Sequence, residues 1–86
     1  MERTPCTNLR NIQPGEWVLV GSKRTGKIAP RQVVSVDAEA GVFHTVLHGY
    51  RIVNPSLAEN FKDGDMVALA VPAGMPVETW MPYARH

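Results

Sequence analysis

The chain has one cysteine, almost no net charge and no long hydrophobic run, and each shortage excludes a class of protein. Cys6 has no second cysteine to pair with, so a fold held by internal disulfides is excluded. The formal net charge of +1 is far from the strongly basic balance of a dedicated nucleic-acid domain. The longest uncharged stretch, 66–77, is broken by prolines and a glycine. It is much shorter than the ~20 residues that a membrane-spanning helix needs.

The first residues lack the positive-then-apolar pattern of a signal peptide. We therefore expect a protein that is neither secreted by such a signal nor inserted in a membrane. Its 86 residues make one small domain, which on size scaling buries about 60–65% of the surface that its unfolded chain exposes. The hydrophobic fraction of 44% is too high for a disordered chain.

Apolar residues occur in short Val-rich runs separated by Gly, Pro, Asn and Asp, which indicates β-strands. The sequence predicts six strands, at 17–22, 31–36, 42–48, 50–53, 65–71 and 77–81. The second and third should form a β-hairpin, because Asp37 can cap the turn between them and Gly41 can take a positive φ at its exit. A short helix is expected within 54–61, where Ser56 and Glu59 have the spacing of a capping box.

A chain this short with five or six strands is best accommodated by a strongly bent sheet. We therefore predict an all-β fold, a small SH3-like or OB-like barrel with one short connecting helix and extended terminal arms. The expected organisation is an extended N-terminal arm at 1–11, a single barrel domain at 12–81 and a C-terminal tail at 82–86. Residues 1–11 are assigned to an arm because they are polar, contain a proline and show no strand pattern.

The stretch from Gly21 through Gly26 to Lys27 has the spacing of a phosphate-binding P-loop. In that motif a Ser or Thr follows the lysine and a helix begins at once. Here Ile28 follows, then Pro30, and the residues beyond favour a strand. We expect neither a nucleotide nor any other cofactor.

What remains of this stretch is a basic segment, residues 23–31, without an acidic residue. Its cations could contact a protein partner or phosphate, or they could only solvate a hairpin tip. The candidate contact residues are Lys23, Arg24, Lys27 and Arg31.

Catalytic and metal-binding patterns are absent from the sequence. His44 and His48 lie four apart in a predicted strand, a Cα separation of roughly 13 Å, which is too far for one metal ion. Cys6 and His86 stand at no recognisable ligand spacing. The acidic residues lie at predicted turns, where capping explains them. We therefore expect a protein that is not an enzyme and binds no metal.

The C-terminal region is rich in residues that dominate protein interfaces. Trp80, Met81 and Tyr83 belong to the residue types enriched there. They could form an arm that docks on a neighbouring protein, or a last strand that closes the barrel and frays at its end.

The order of elements from Ile12 to Val71 resembles small β-barrel proteins of phage virions, found in tails, baseplates and head-to-tail necks. The resemblance is carried by a strand, a basic loop, an Asp-to-Gly hairpin, a short helix and the Gly64-Asp65 entry into a Val-rich strand. It implies an assembly subunit in a virion or in the host cytoplasm, associated with itself as a homo-oligomer or with a larger partner.

Three hypotheses on function follow. The leading one is a non-enzymatic structural subunit that makes protein contacts through the N-terminal arm, the basic segment and the tail. The alternative is a nucleic-acid-binding barrel, with the basic segment on phosphates and Trp17, Phe43 or Tyr50 available for base stacking. A third is a small regulator that blocks another protein's surface.

Overall fold

A computed structural model describes residues 3–76 as one curled antiparallel sheet. The helical content is a single turn of 3₁₀ helix, Leu9–Asn11. The strands are β1 Trp17–Ser22, β2 Ile28–Gln32, β3 Ser35–Asp37, β4 Val42–His44, β5 Gly49–Asn54, β6 Leu57–Asn60 and β7 Met66–Leu69. No helix within residues 3–76 is long and apolar enough to cross a membrane.

The seven strands lie in the order β2-β1-β7-β6-β5-β4-β3, and every neighbouring pair is antiparallel. The two edge strands, β2 and β3, are consecutive in sequence, with only Val33 and Val34 between them. The Val33 amide donates to Glu16 beside β1, whereas the Val34 amide donates to His44 in β4, each at 2.8 Å. Two adjacent residues thus join opposite edges of the sheet, which must curl into a half-barrel. The prediction of an all-β barrel-like fold is confirmed at this level.

The core lies inside the curl and rests on two stacked aromatic rings. Phe43 and Tyr50 are both fully buried, with ring centroids 5.6 Å apart. Val18 on β1 and Ala68 on β7, both also fully buried, belong to the same cluster. Small alanines at such positions let neighbouring strands pack closely around the rings.

The predicted helix at 54–61 is wrong, because the chain there forms the β5–β6 hairpin. Pro55 and Ser56 make the turn, and the Asn54 side chain accepts a hydrogen bond from the Ser56 amide at 2.8 Å. A helix of about six residues is unstable on its own. As a strand, β6 pairs with β5 on one side and with β7 on the other.

Strand boundaries also differ from the prediction. The first strand is confirmed residue for residue, and the predicted strand 31–36 is split between β2 and β3. The predicted strand 42–48 ends at His44, because the chain reverses there: the Thr45 amide donates to the His48 carbonyl at 2.9 Å. The predicted strand 77–81 lies outside the described residues.

The β3–β4 hairpin is confirmed together with its turn chemistry. The Asp37 carboxylate accepts a hydrogen bond from the Ala40 amide at 3.2 Å. Gly41 has a φ of 68°, a conformation that favours glycine.

The N-terminal residues expected to extend as an arm pack into the fold from residue 4 onwards. Pro5 forms a parallel bridge with Trp17, and the Cys6 amide donates to the Trp17 carbonyl at 2.8 Å. Cys6, Leu9 and Ile12 are all buried. Their spacing of three residues was the signal in the sequence, masked by the polar residues around them.

Candidate functional site

A cleft of about 680 Å³ lies between the β1–β2 hairpin and the turn at 45–48 that joins β4 to β5. One wall is β2 with the end of the hairpin, and the opposite wall is the 45–48 turn. Tyr50 and Met66, which pack in or against the core, also line it. A concave site of this volume falls within the range of ordinary ligand-binding clefts.

Exposed apolar side chains concentrate on this cleft. Six large apolar residues are exposed among the described residues, and four of them line it. Those four are Ile28 at 38% exposure, Val34 at 52%, Val46 at 82% and Leu47 at 75%. Isolated exposed apolar residues are ordinary, but a cluster at one concave place indicates an interaction surface.

Val46 and Leu47 form the tip of the 45–48 turn, and their apolar surface continues beyond the cleft. A second groove of about 430 Å³ lies on the far side of the turn and reaches Phe61, which is 49% exposed. We call Val46 and Leu47 the apolar tip.

The four predicted contact cations do not form one group. Lys23 is bound by Glu59, with Nζ and Oε2 2.8 Å apart. The Arg24 amide donates to the Asp65 carboxylate at 2.8 Å, and the Ser22 hydroxyl donates to the other oxygen of the same carboxylate. These bonds hold the pKa of Asp65 below its usual value, with the Ser22 hydroxyl as the largest cause. Acidic groups thus offset the charge at this end of the basic segment.

Lys27 and Arg31, in contrast, line the cleft. Neither has an acidic partner among residues 3–76, and no Asp or Glu of that range lines the cleft. The structure therefore divides the basic segment into Lys23, which is paired with Glu59, Arg24, whose backbone amide bonds Asp65, and a cationic pair, Lys27 and Arg31, that gives the cleft a positive potential.

The Tyr50 side chain brings an unpaired polar atom to the cleft. The residue is fully buried, yet its hydroxyl has no hydrogen-bond partner among residues 3–76. Burial raises the pKa of Tyr50 above its usual value, and the charge of Arg31 opposes that rise. A buried hydroxyl without a hydrogen-bond partner costs free energy on folding.

The main chain of β2 offers little to a ligand in the cleft. The Val33 amide and the Lys27 carbonyl both form hydrogen bonds on the β1 side. Because backbone polar groups alternate in direction along a strand, those of Ile28, Pro30 and Gln32 point away from β1. Pro30 has no amide hydrogen, and its carbonyl accepts from the Arg31 guanidinium at 2.8 Å. An extended strand added along this edge could not form a continuous ladder of main-chain hydrogen bonds, because the ladder would be interrupted at Pro30.

The P-loop-like spacing is explained by hairpin geometry. A Cβ at Gly21 would overlap the Lys27 carbonyl oxygen, and Gly26 has a φ of 72°. Both glycines are required by the tight β1–β2 turn. Ile28 begins a strand rather than a helix, so the stretch lacks the helix N-terminus that holds phosphates in a P-loop.

Two of the three aromatic residues considered for base stacking are in the core. Phe43 and Tyr50 stack on each other and are inaccessible. Trp17 is half-buried and has the Arg3 guanidinium 4.9 Å from its ring centroid.

The predicted interface residues Trp80, Met81 and Tyr83 lie outside the described residues. Sequence reasoning missed the apolar tip, because it placed Val46 and Leu47 within one continuous strand at 42–48. The adjacent pair Val46-Leu47 between Thr45 and His48 breaks the alternation of a half-buried strand, and that was the available signal.

A scan against protein-family models, a search of curated proteins and a search of solved structures return no significant match.

Proposed function

We propose that the protein is a non-enzymatic assembly module that binds a protein partner, in the first instance another copy of itself, through the cleft and its apolar tip. The convergence of exposed apolar side chains on one concave site carries this proposal. It keeps the assembly role that the resemblance to phage virion barrels implies. It places the contact at the cleft, with Lys27 and Arg31 as the contributing part of the basic segment.

The size of the apolar contribution supports association. Complete burial of a Val or Leu side chain is worth about 1.5–3 kcal/mol relative to exposure. Val46 and Leu47 are 82% and 75% exposed. A partner that covers the apolar tip therefore gains most of that burial free energy for each of the two side chains.

A protein partner suits this surface better than a nucleic acid does. Nucleic-acid sites depend on accessible aromatic faces and unpaired cations. Here Phe43 and Tyr50 are buried, and Lys27 and Arg31 are the two cations of the basic segment that line the cleft, because Lys23 is paired with Glu59. A phosphate backbone would offer the exposed apolar side chains of the cleft no apolar surface to pack against.

The test is the native mass of the full chain, measured by light scattering across a concentration series. Wild type should associate, and Leu47→Asp should remain a monomer, because a carboxylate replaces apolar area at the tip. Val53→Asp is the matched control: Val53 is 45% exposed on β5 and does not line the cleft, so this variant should associate like wild type.

A wild-type chain that stays monomeric at the highest soluble concentration would overturn the proposal, as would a Leu47→Asp variant that associates normally. A labelled single-stranded oligonucleotide at low salt provides the competing measurement. Binding that disappears with Lys27→Gln and is unaffected by Leu47→Asp would favour the nucleic-acid alternative instead.

A further inference from the structure

We propose that the cleft binds the segment 77–81 of a second copy of this chain, with Glu78 on the Arg31 guanidinium and with Trp80 against the apolar tip. This inference rests on the proposed function and deepens it, because it names the occupant of the cleft.

The lining of the cleft, with apolar side chains beside two cations, suits a ligand that combines an apolar group with an anion. Its cations, Lys27 and Arg31, face no acidic residue among residues 3–76. Arg31 uses one guanidinium N–H on the Pro30 carbonyl, which leaves the remaining donors of its fork for a ligand. An incoming carboxylate would accept from these donors, and charge-assisted hydrogen bonds of this kind are strong.

The occupant is identified by the acidic residues of the chain itself. Most of those described already act inside their own copy. Glu59 pairs with Lys23, Asp65 accepts from Ser22 and Arg24, Asp63 accepts from the Asp65 amide, Asp37 accepts from the Ala40 amide, and Glu16 accepts from the Gln13 amide.

Of the described acids, Glu39 is the one without such a bond, and it stands between two alanines at a hairpin turn. It could supply charge but no apolar anchor. Two further acids, Glu2 and Glu78, lie outside the described residues. Glu2 is followed at once by the cation Arg3, whereas Glu78 lies between Val77 and the Thr79-Trp80-Met81 run and so combines a carboxylate with bulky apolar neighbours. Tryptophan is among the residues most enriched in interface hot spots.

A segment of one copy seated in the cleft of another gives a two-fold dimer where the exchange is reciprocal, and a ring or an open filament where it is not. Because Pro30 and Arg31 interrupt main-chain pairing along the β2 edge, docking there depends on contacts between side chains.

The experiment is a double-mutant cycle on the full chain, with association constants from sedimentation equilibrium. Arg31→Gln and Glu78→Gln should each weaken association by about tenfold or more, the loss of a hydrogen bond to a charged group. The double variant should be no weaker than either single one, because both changes remove the same contact. Glu39→Gln is the matched control and should leave association unchanged.

The outcomes separate this inference from the function on which it rests. If Leu47→Asp abolishes association while Glu78→Gln and Trp80→Ala leave it intact, the protein assembles through its cleft but with another occupant, and the inference is overturned. If the effects of Arg31→Gln and Glu78→Gln simply add, their direct contact is refuted. If wild type is monomeric at every concentration, both the inference and the proposed function fail.

Discussion

Replacement of Tyr50 by phenylalanine should stabilise the monomeric protein. The substitution removes one oxygen and keeps the ring that stacks on Phe43 with a centroid separation of 5.6 Å. The ring of His48, 6.4 Å away and edge-on, also keeps its partner. The packing of the core is therefore unchanged, and the difference between the two proteins is the hydroxyl itself.

The expected size of the effect follows from the environment of that hydroxyl. Tyr50 is fully buried and its oxygen has no partner among residues 3–76, so folding removes its bonds to water without replacing them. Leaving a buried polar group unsatisfied costs about 1–3 kcal/mol. We expect Tyr50→Phe to raise the free energy of unfolding by about 1 kcal/mol, a rise in Tm of about 4–8 °C for a domain of this size.

The assay is urea unfolding followed by tryptophan fluorescence, at a concentration where light scattering gives the mass of a monomer. Thr45→Val is the matched comparison, because it also removes one buried hydroxyl. That hydroxyl donates to the His48 carbonyl at 3.3 Å and accepts from the His48 amide at 3.4 Å. Its loss should lower the free energy of unfolding by about 1 kcal/mol. The two variants should therefore shift the transition in opposite directions.

A Tyr50→Phe variant less stable than wild type would refute the reasoning. It would mean that the hydroxyl has a partner in the folded monomer.

Three further changes test the local structure. Gly21→Ala should lower the free energy of unfolding by about 1–3 kcal/mol, because its methyl group overlaps the Lys27 carbonyl, while Gly64→Ala enters open space and should be near neutral in the same urea assay. Burial raises the pKa of the Cys6 thiol from 9.0 to about 11. Stability should therefore be complete below pH 9.0 and decline as pH rises towards 11, and the thiol should react with a disulfide reagent at neutral pH only after unfolding. The lowered pKa of Asp65 stabilises the fold above pH 3.8, so Asp65→Asn should reduce the loss of stability that wild type shows on acidification below that pH.

The sequence was sufficient for the parts of the fold that local chemistry controls. β1 follows from its short apolar run and the Asp37-to-Gly41 hairpin from its turn residues, and both are as predicted. The β6 strand was not predictable in this way, because Ser56 and Glu59 satisfy a helix signal locally. In the folded chain Glu59 instead reaches Lys23, and β6 gains hydrogen-bonded neighbours on both sides. Tertiary pairing outweighed the local signal.

The candidate site shows the same limit. Residue types alone indicated that the basic segment matters, but its division depends on Asp65 and Glu59, which are more than 30 positions away in sequence. The cleft exists because β2 and the 45–48 turn diverge after Val33 and Val34 join the two sheet edges. Neither the acidic partners of the basic segment nor the proximity of β2 to the 45–48 turn can be inferred from residue spacing or composition.

A half-barrel that exposes apolar residues beside its own sheet edges is at risk of uncontrolled edge-to-edge pairing. In this chain the two edges are unsuited to it. β3 has three residues, and β2 carries Pro30 with its carbonyl bound by Arg31. Because main-chain pairing is interrupted, association through the apolar tip depends on side-chain complementarity, which can select one partner. Substitution of Pro30 by Val should restore an unbroken edge, and aggregation in light scattering without a defined mass is the expected result. A Pro30→Val protein with the same mass as wild type would show that the edge plays no part in limiting association.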